Sequence, residues 1–191
     1  MTAHDFRAGW ISGEGFDNDL PLTASPEHER QEEALSRLLS GLTDIYSVLD
    51  VGCGRGRIAA LLQRLKPSAE YTGLDIGETQ LQLTAFVRPD GSFIKLPVQE
   101  LNSSYGRGRW DLVIASEVLM HIPSDEIQLA IDNLKAVTGK YLVITEWAPE
   151  VLKVPKDIAW WNIPHDYLSL LGPVSYAART DEQVIYMWEP E

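Results

Sequence analysis

The feature that most constrains the fold is a glycine-rich turn, Gly52 to Gly56, that stands between a β-prone run and a helical one. The preceding segment, 46–51, is short and rich in apolar and β-branched residues, which predicts a strand. The following segment carries an apolar stripe at helical spacing and is stopped by Pro67. Glycines let a ligand approach bare backbone, and the N–H groups at a helix start favour an anionic group. The sequence therefore predicts a ligand site beyond the carboxyl end of this first strand.

Strands and helices continue to alternate along the rest of the chain. We predict strands over residues 71–74, 92–96, 110–115, 141–145, 174–178 and 184–188, and helices that begin at Ser25, pass through Leu81, Ala85 and Phe86, begin at Ser124, and cover 165–171. Such alternation produces parallel pairing through right-handed crossovers, and apolar strands suit a sheet covered on both faces. The short link 179–183 cannot form a parallel crossover, so the final strand should be antiparallel. The expected fold is α/β, a doubly wound sheet of about seven strands with helices on both faces.

Length and charge exclude several classes of function. A chain of 191 residues predicts one domain, at roughly 150 residues per domain. The formal net charge of -12 argues against a free-standing nucleic-acid binder and against docking on an anionic membrane. No segment approaches the roughly 18 apolar residues of a membrane span, and the N-terminus lacks the apolar core of a signal peptide. A single cysteine, Cys53, can form no intramolecular disulfide, so these features together predict a cytoplasmic protein.

An acidic residue at the end of the second strand adds to the glycine turn. Asp75 stands where a carboxylate can accept both hydroxyls of a ribose. The dinucleotide fingerprint has its third glycine one place later than Gly56, where this chain has Arg57, so a nicotinamide dehydrogenase is disfavoured. The alternative is that the glycines merely permit a tight turn and that Asp75 is a solvated strand end.

The chain carries four linked segments, which are Val48-Leu49-Asp50-Val51-Gly52-Cys53-Gly54-Arg55-Gly56, Gly73-Leu74-Asp75-Ile76, residues 110–122, and residues 139–145. Together they resemble the class I S-adenosylmethionine-dependent methyltransferases of the small-molecule type. The resemblance implies a Rossmann-like sheet in the strand order 3-2-1-4-5-7-6 with the seventh strand antiparallel. It divides the single domain into an N-terminal flap and helix (1–45), a cofactor-binding core (46–147) and a substrate-side loop, helix and final strands (148–191).

The resemblance also implies S-adenosyl-L-methionine as the cofactor. The backbone around Gly52 and Gly54 would hold its methionyl part, and Asp75 would take the ribose hydroxyls. Many members place an aspartate for the adenine amino group where this chain has Pro97, so the Val98 backbone, Gln99 or Glu100 would take over that contact. The residues expected to bind the cofactor are Asp50, Gly52, Cys53, Gly54, Asp75, Ile76, Val98, Gln99 and Ser116.

Candidates for proton transfer follow the fourth and fifth strands, because a hydroxyl acceptor must lose a proton during methyl transfer. His121 is a base or a cofactor contact, or else a polar residue that closes a loop before Pro123. His165 borders the substrate side by resemblance, next to Asp166, which suits a helix cap. Glu146 and Glu117 are each a base, a partner for a cationic amine, or a solvated edge carboxylate.

Aromatic residues near the end of the fifth strand are candidates for acceptor binding. Trp147, Trp160 and Trp161 would form a wall for a flat or cationic acceptor, or else a small satellite core; Glu117 completes the candidate substrate residues. The His, Cys and carboxylate spacing predicts no metal site.

The leading hypothesis is an enzyme that methylates a hydroxyl or amine of a small molecule. The alternatives are a binding protein that keeps the cofactor pocket without turnover, and methylation of a protein side chain, for which an acidic surface would suit a basic substrate. The sequence leaves the acceptor and the oligomeric state open.

Overall fold

The computed structural model describes residues 26–151 and 162–190. The predicted flap, the Ser25 cap, Trp160 and Trp161 lie outside these ranges. Helices in the described ranges are α1 (Pro26–Gly41), α2 (Arg57–Leu65), α3 (Glu78–Val87), α4 (Ile127–Val137) and α5 (Tyr167–Leu171). The strands are β1 (Ser47–Val51), β2 (Glu70–Asp75), β3 (Ser92–Lys95), β4 (Trp110–Ser116), β5 (Thr138–Trp147), β6 (Tyr176–Arg179) and β7 (Gln183–Trp188). Short 3-10 turns cover Val98–Glu100, Ser103–Tyr105 and Leu119–His121.

These strands form one sheet in the order β3-β2-β1-β4-β5-β7-β6. Strands β1 to β5 pair in parallel, while β7 runs antiparallel to both β5 and β6. The predicted strand order and the antiparallel last strand are therefore confirmed. Parallel pairing collects the carboxyl ends of β1, β2 and β4 at one edge of the sheet, with the order reversing beside β1, which is where ligands bind in such sheets.

Two apolar cores cover the two faces of the sheet, as the apolar strands predict. Alternate residues of β4 divide between them, with Leu112 and Ile114 packed on the face of α1 and α2, and Val113 and Ala115 packed on the face of α4 and α5. All four side chains are fully buried. No helix in the described ranges is both long enough and apolar enough to cross a membrane.

Two helices differ in detail from the pattern of the sequence. Phe86 lies in α3, as predicted, but it is 86% exposed, whereas Leu81 and Thr84 of the same helix are buried. Ser124 was expected to cap α4, but that helix begins at Ile127. The backbone N–H groups of Glu126 and Ile127 both donate to the carbonyl of Pro123, so residues 123–126 form a separate turn before the helix.

Candidate functional site

A cavity of about 340 Å³ opens at the carboxyl ends of β1, β2 and β4. One wall is the glycine turn, a second is the end of β2 with the 3-10 turn after β3, and the third is the segment that follows β4. The lining residues are Val51, Gly52, Gly54, Leu74, Asp75, Ile76, Leu96, Pro97, Val98, Gln99, Glu117, Val118, His121, Ile122, Pro123, Asp125 and Glu126.

The glycine turn requires glycine at its first position. Gly52 has a φ of +67°, a left-handed conformation that other residues rarely adopt. A Cβ atom at Gly52 would lie 2.6 Å from the Cγ2 atom of Val118, well inside contact distance. The turn and the segment after β4 therefore touch, backbone against side chain, at the floor of the cavity.

Asp75 is locked in place by the backbone around it. Its Oδ2 atom accepts the N–H of Gly54 at 2.9 Å, and its Oδ1 atom accepts the N–H of Gly77 at 2.8 Å. Burial raises the pKa of this carboxyl, while the N–H donors oppose that change. Each carboxylate oxygen has a second lone pair, so the fixed carboxylate can still accept hydroxyl groups from a ligand in the cavity.

The wall beside Asp75 is apolar and rests on helix α4. Ile76, Leu96, Pro97 and Val98 supply its hydrophobic surface, which suits a flat ring. The side-chain amide of Asn133 donates to the carbonyls of Val98 and Gln99 at 3.3 and 2.9 Å, which fixes the 3-10 turn. The side chain of Gln99 donates in turn to Glu126 at 2.7 Å.

Glu117 lies at the centre of a polar cluster on the opposite wall. Its Oε1 atom accepts Arg57 Nη2 at 3.0 Å and Gln183 Nε2 at 3.1 Å. Its Oε2 atom accepts the indole N–H of Trp147 at 3.1 Å and lies 3.2 Å from His28 Nε2. We call these five residues the Glu117 cluster. Glu117 was not expected to make this set of contacts, and it is not a solvated edge carboxylate.

The cluster keeps Glu117 ionised. Burial alone would raise the pKa of its carboxyl, but the bonds from His28 and Trp147 and the charge of Arg57 lower it to about 2. Glu117 also has a φ of 55°, which is rare for a non-glycine residue and marks a backbone held by its surroundings. The side chain is thus an anion fixed at the cavity wall by surrounding donors.

Three members of the site were missed from the sequence. His28 and Gln183 lie far from Glu117 along the chain, and no local pattern marks them. Arg57 carried a signal, since it replaces a glycine of the dinucleotide fingerprint. Its guanidinium group also donates to Ser116 Oγ at 2.9 Å and to the side chain of Gln31, so it joins α2 to β4 and α1.

Glu146 lies behind the cavity wall rather than in it. Its side chain is fully buried, and its Oε1 atom accepts the N–H groups of Val118 at 3.0 Å and Leu119 at 2.7 Å. Burial raises the pKa of this carboxyl to about 8, and the negative charge of Glu117 adds to that effect. Glu146 does not reach the cavity and is not a solvated carboxylate.

The two candidate histidines differ in position. His121 lines the cavity, at the end of the 3-10 turn after β4. His165 is buried outside it, with Nε2 3.0 Å from the carbonyl of Ile122 and its ring edge against Tyr167. Burial lowers the pKa of His165. Asp166 caps α5 by accepting the N–H of Ser169, as its position suggested.

Comparison with known proteins agrees with this geometry. A protein-family profile described as a methyltransferase domain matches residues 49–140. The ubiquinone biosynthesis O-methyltransferase of Serratia proteamaculans (strain 568) is 32% identical over 110 residues, which cover 55% of this chain and 45% of that protein. The trans-aconitate 2-methyltransferase of Enterobacter sp. (strain 638) is 32% identical over 91 residues, which cover 48% of this chain and 34% of that protein. The chain thus spans less than half the length of these relatives.

Solved structures extend the likeness to the whole fold. A magnesium protoporphyrin IX methyltransferase from Synechocystis PCC 6803 with bound SAH superposes with a TM-score of 0.70 at 22% identity, covering 100% of this chain and 95% of that one. An N-methyltransferase from Bradyrhizobium japonicum WM9 in complex with S-adenosyl-l-homocysteine gives a TM-score of 0.74 at 15% identity, covering all of both chains. Residues 49–140 are therefore similar to a methyltransferase domain, and the chain has the fold of methyltransferases solved with bound SAH.

Most of the expected cofactor residues lie in one cavity. Gly52, Gly54, Asp75, Ile76, Val98 and Gln99 all line it, whereas Asp50, Cys53 and Ser116 do not. Asp50 accepts the hydroxyl of Tyr71 at 2.7 Å instead, and burial raises the pKa of its carboxyl to about 7. Cys53 is buried beneath the turn, where burial raises the pKa of its thiol. The described residues contain no cluster of His, Cys, Asp or Glu able to hold a metal ion.

Proposed function

We propose that the protein transfers a methyl group from S-adenosyl-L-methionine to a hydroxyl or amine of a small molecule. The observation that carries this proposal is the cavity in which Asp75, locked by the N–H groups of Gly54 and Gly77, faces the glycine turn. A carboxylate fixed in this way can accept two neighbouring hydroxyls without reorganising, which is what recognition of a ribose requires.

The residues present fit the cofactor. Asp75 would hold the ribose, Ile76 and Pro97 would enclose the adenine, and Gly52 and Gly54 would let the methionyl part lie against the backbone. S-adenosylmethionine supplies a methyl group already activated on a sulfonium. What remains for the protein is to align the acceptor, exclude water and take up its proton. His121 is the candidate base, because it lines the cavity while Glu146 and His165 do not.

The charge of the cavity favours a neutral or cationic acceptor. Four carboxylates line it, those of Asp75, Glu117, Asp125 and Glu126, and none of the lining residues that the structure describes is Lys or Arg. A tricarboxylate such as the one named for the trans-aconitate relative would need cationic partners there. A phenol or alcohol, as for the ubiquinone relative, or an amine, as for the N-methyltransferase, meets no such repulsion.

Charge and composition bear on the class of acceptor and on the cellular location. A net charge of -12 disfavours a nucleic acid as the acceptor, so we propose a small molecule. The single cysteine is buried, which suits a reducing compartment, and we propose the cytoplasm as the location.

Calorimetric titration with S-adenosyl-L-homocysteine tests the cofactor site. Asp75→Ala removes charge-assisted hydrogen bonds worth about 1.5–3 kcal/mol, so affinity should fall roughly ten- to a hundredfold. Asp132→Ala, which removes an exposed carboxylate on α4, is the matched control and should bind as the wild type does.

An acceptor screen then tests turnover. The wild-type protein with S-adenosylmethionine should release the demethylated product when a suitable phenol, alcohol or amine is added, and not with tricarboxylates. Tight binding with no turnover across the panel would contradict the enzyme and favour a non-catalytic cofactor-binding protein. No binding by the folded wild type would contradict the cofactor itself.

A further inference from the structure

We infer that Glu146 is a positioning residue of the transfer site, holding residues 118–121 so that Glu117 and His121 face the cavity. The inference rests on the proposed function. We call residues 118–121 the post-β4 turn. Glu146 does not line the cavity, and its hydrogen bonds join it to this turn.

The first argument comes from backbone hydrogen bonds at the end of the β4–β5 ladder. Backbone pairing of the two strands ends at Ser116 and Thr145, with one further bond from the N–H of Glu117 to the carbonyl of Thr145 at 2.9 Å. The next two donors, the N–H groups of Val118 and Leu119, turn into the buried interior and both reach Glu146 Oε1. The side chain therefore extends the ladder where the backbone of β5 no longer can. Buried N–H groups need such a partner.

The second argument is that the post-β4 turn fixes the positions of residues that line the cavity. The side chain of Val118 packs so closely against Gly52 that it leaves no room for a Cβ atom there. Glu117, the residue before Val118, has a left-handed backbone. The N–H of His121 closes the turn on the carbonyl of Val118 at 3.1 Å. A shift of Val118 would therefore move the floor of the cavity, Glu117 and His121 together.

The turn is also held from its other side. The N–H of Ile163 donates to the carbonyl of Met120 at 2.7 Å, and His165 Nε2 lies 3.0 Å from the carbonyl of Ile122. Glu146 accepts the first two N–H groups of the turn, while the segment before α5 contacts the carbonyls of Met120 and of Ile122, the residue just after the turn. This gives His165 a structural role as well, in place of the catalytic one expected from the sequence.

The chemistry of Glu146 makes the inference testable with a close mimic. Its second oxygen, Oε2, is buried and has no hydrogen-bond partner among the described residues, and the same holds for the hydroxyl of Tyr167. A buried carboxyl next to the anionic Glu117 favours its protonated form, which has one carbonyl oxygen for the two N–H groups. Glutamine has the same shape, the same carbonyl oxygen and no charge, whereas leucine has a similar size and no acceptor.

The experiment compares Glu146→Gln, Glu146→Leu and wild type. The first readout is hydrogen–deuterium exchange of the amides of Val118 and Leu119, which needs neither cofactor nor acceptor. We expect exchange at least tenfold faster in Glu146→Leu and unchanged in Glu146→Gln. The second readout is turnover of an acceptor found in the screen, where kcat should fall at least tenfold in Glu146→Leu and less than threefold in Glu146→Gln.

The outcomes separate this inference from the proposed function. If the wild type turns over no acceptor, the proposed function fails, and amide exchange still decides the role of Glu146. Wild-type exchange and turnover in Glu146→Leu would overturn the inference. Equal loss in Glu146→Gln and Glu146→Leu would also overturn it, because the acidic proton and not the acceptor oxygen would then matter. If Glu146→Leu does not fold, Glu146→Asp, one methylene shorter, replaces it with the same expected exchange.

Discussion

The ion pair between Arg57 and Glu117 gives the sharpest test of the Glu117 cluster. The two side chains are only 16% and 17% exposed, and their atoms lie 3.0 Å apart. Removing one partner of a buried pair costs about 3–5 kcal/mol, because the other charge is left buried. Arg57→Met leaves Glu117 three other donors, so we expect the lower end, about 3 kcal/mol. For a chain of this size that lowers Tm by about 6–12 °C.

A double-mutant cycle isolates the pair from its surroundings. We expect Glu117→Gln also to destabilise, and the double variant to lose about 2 kcal/mol less than the sum of the two single losses, measured by urea unfolding. The exposed pair Arg37 and Glu33 on α1 is the matched control, with an expected coupling of about 0.3–0.5 kcal/mol. Additivity of the Arg57 and Glu117 losses, to within the control, would refute the cluster as a coupled unit.

Three further predictions follow from single positions. Gly52→Ala places a Cβ 2.6 Å from Val118 at a positive φ, so affinity for S-adenosylhomocysteine should fall more than tenfold in calorimetry; unchanged affinity would contradict the packing. Burial raises the pKa of Glu146 from 4.5 to about 8, so the protonated form stabilises the fold fully below pH 4.5 and that stability is lost as pH rises through about 8. Urea midpoints of Glu146→Gln should therefore slope less across this window than those of wild type, and parallel slopes would count against a protonated Glu146. Phe86→Ser should change the free energy of unfolding by no more than about 0.5 kcal/mol relative to wild type, since the ring is 86% exposed.

The sheet and the cofactor wall could be predicted because their signals are local. Each strand is a short apolar run, and the glycine turn with Asp75 at the next strand end specifies one edge of the sheet. The link 179–183 alone required the last strand to reverse, and β7 does. These features depend on neighbours in sequence, which is what periodicity and turn chemistry report.

The opposite wall could not be predicted, because it is assembled from distant segments. Gln183 is 66 residues from Glu117, and His28 is 89 residues away on the other side. A carboxylate after a strand has the same sequence signal whether it is solvated, as Glu117 could have been, or enclosed by donors. Phe86 shows the converse, since it is an apolar residue of a correctly predicted helix and is still 86% exposed.

The position of β7 has a consequence for how the chain is made. β7 lies between β5 and β6, although both of those strands are synthesised before it. A ribosome that has translated as far as β6 therefore holds a nascent chain in which the edge of β5 has no neighbour. Apolar strand edges of this kind recruit other chains. Gln183 belongs to the same strand, so the nascent chain gains the strand that covers the edge of β5 and a donor to Glu117 in one step.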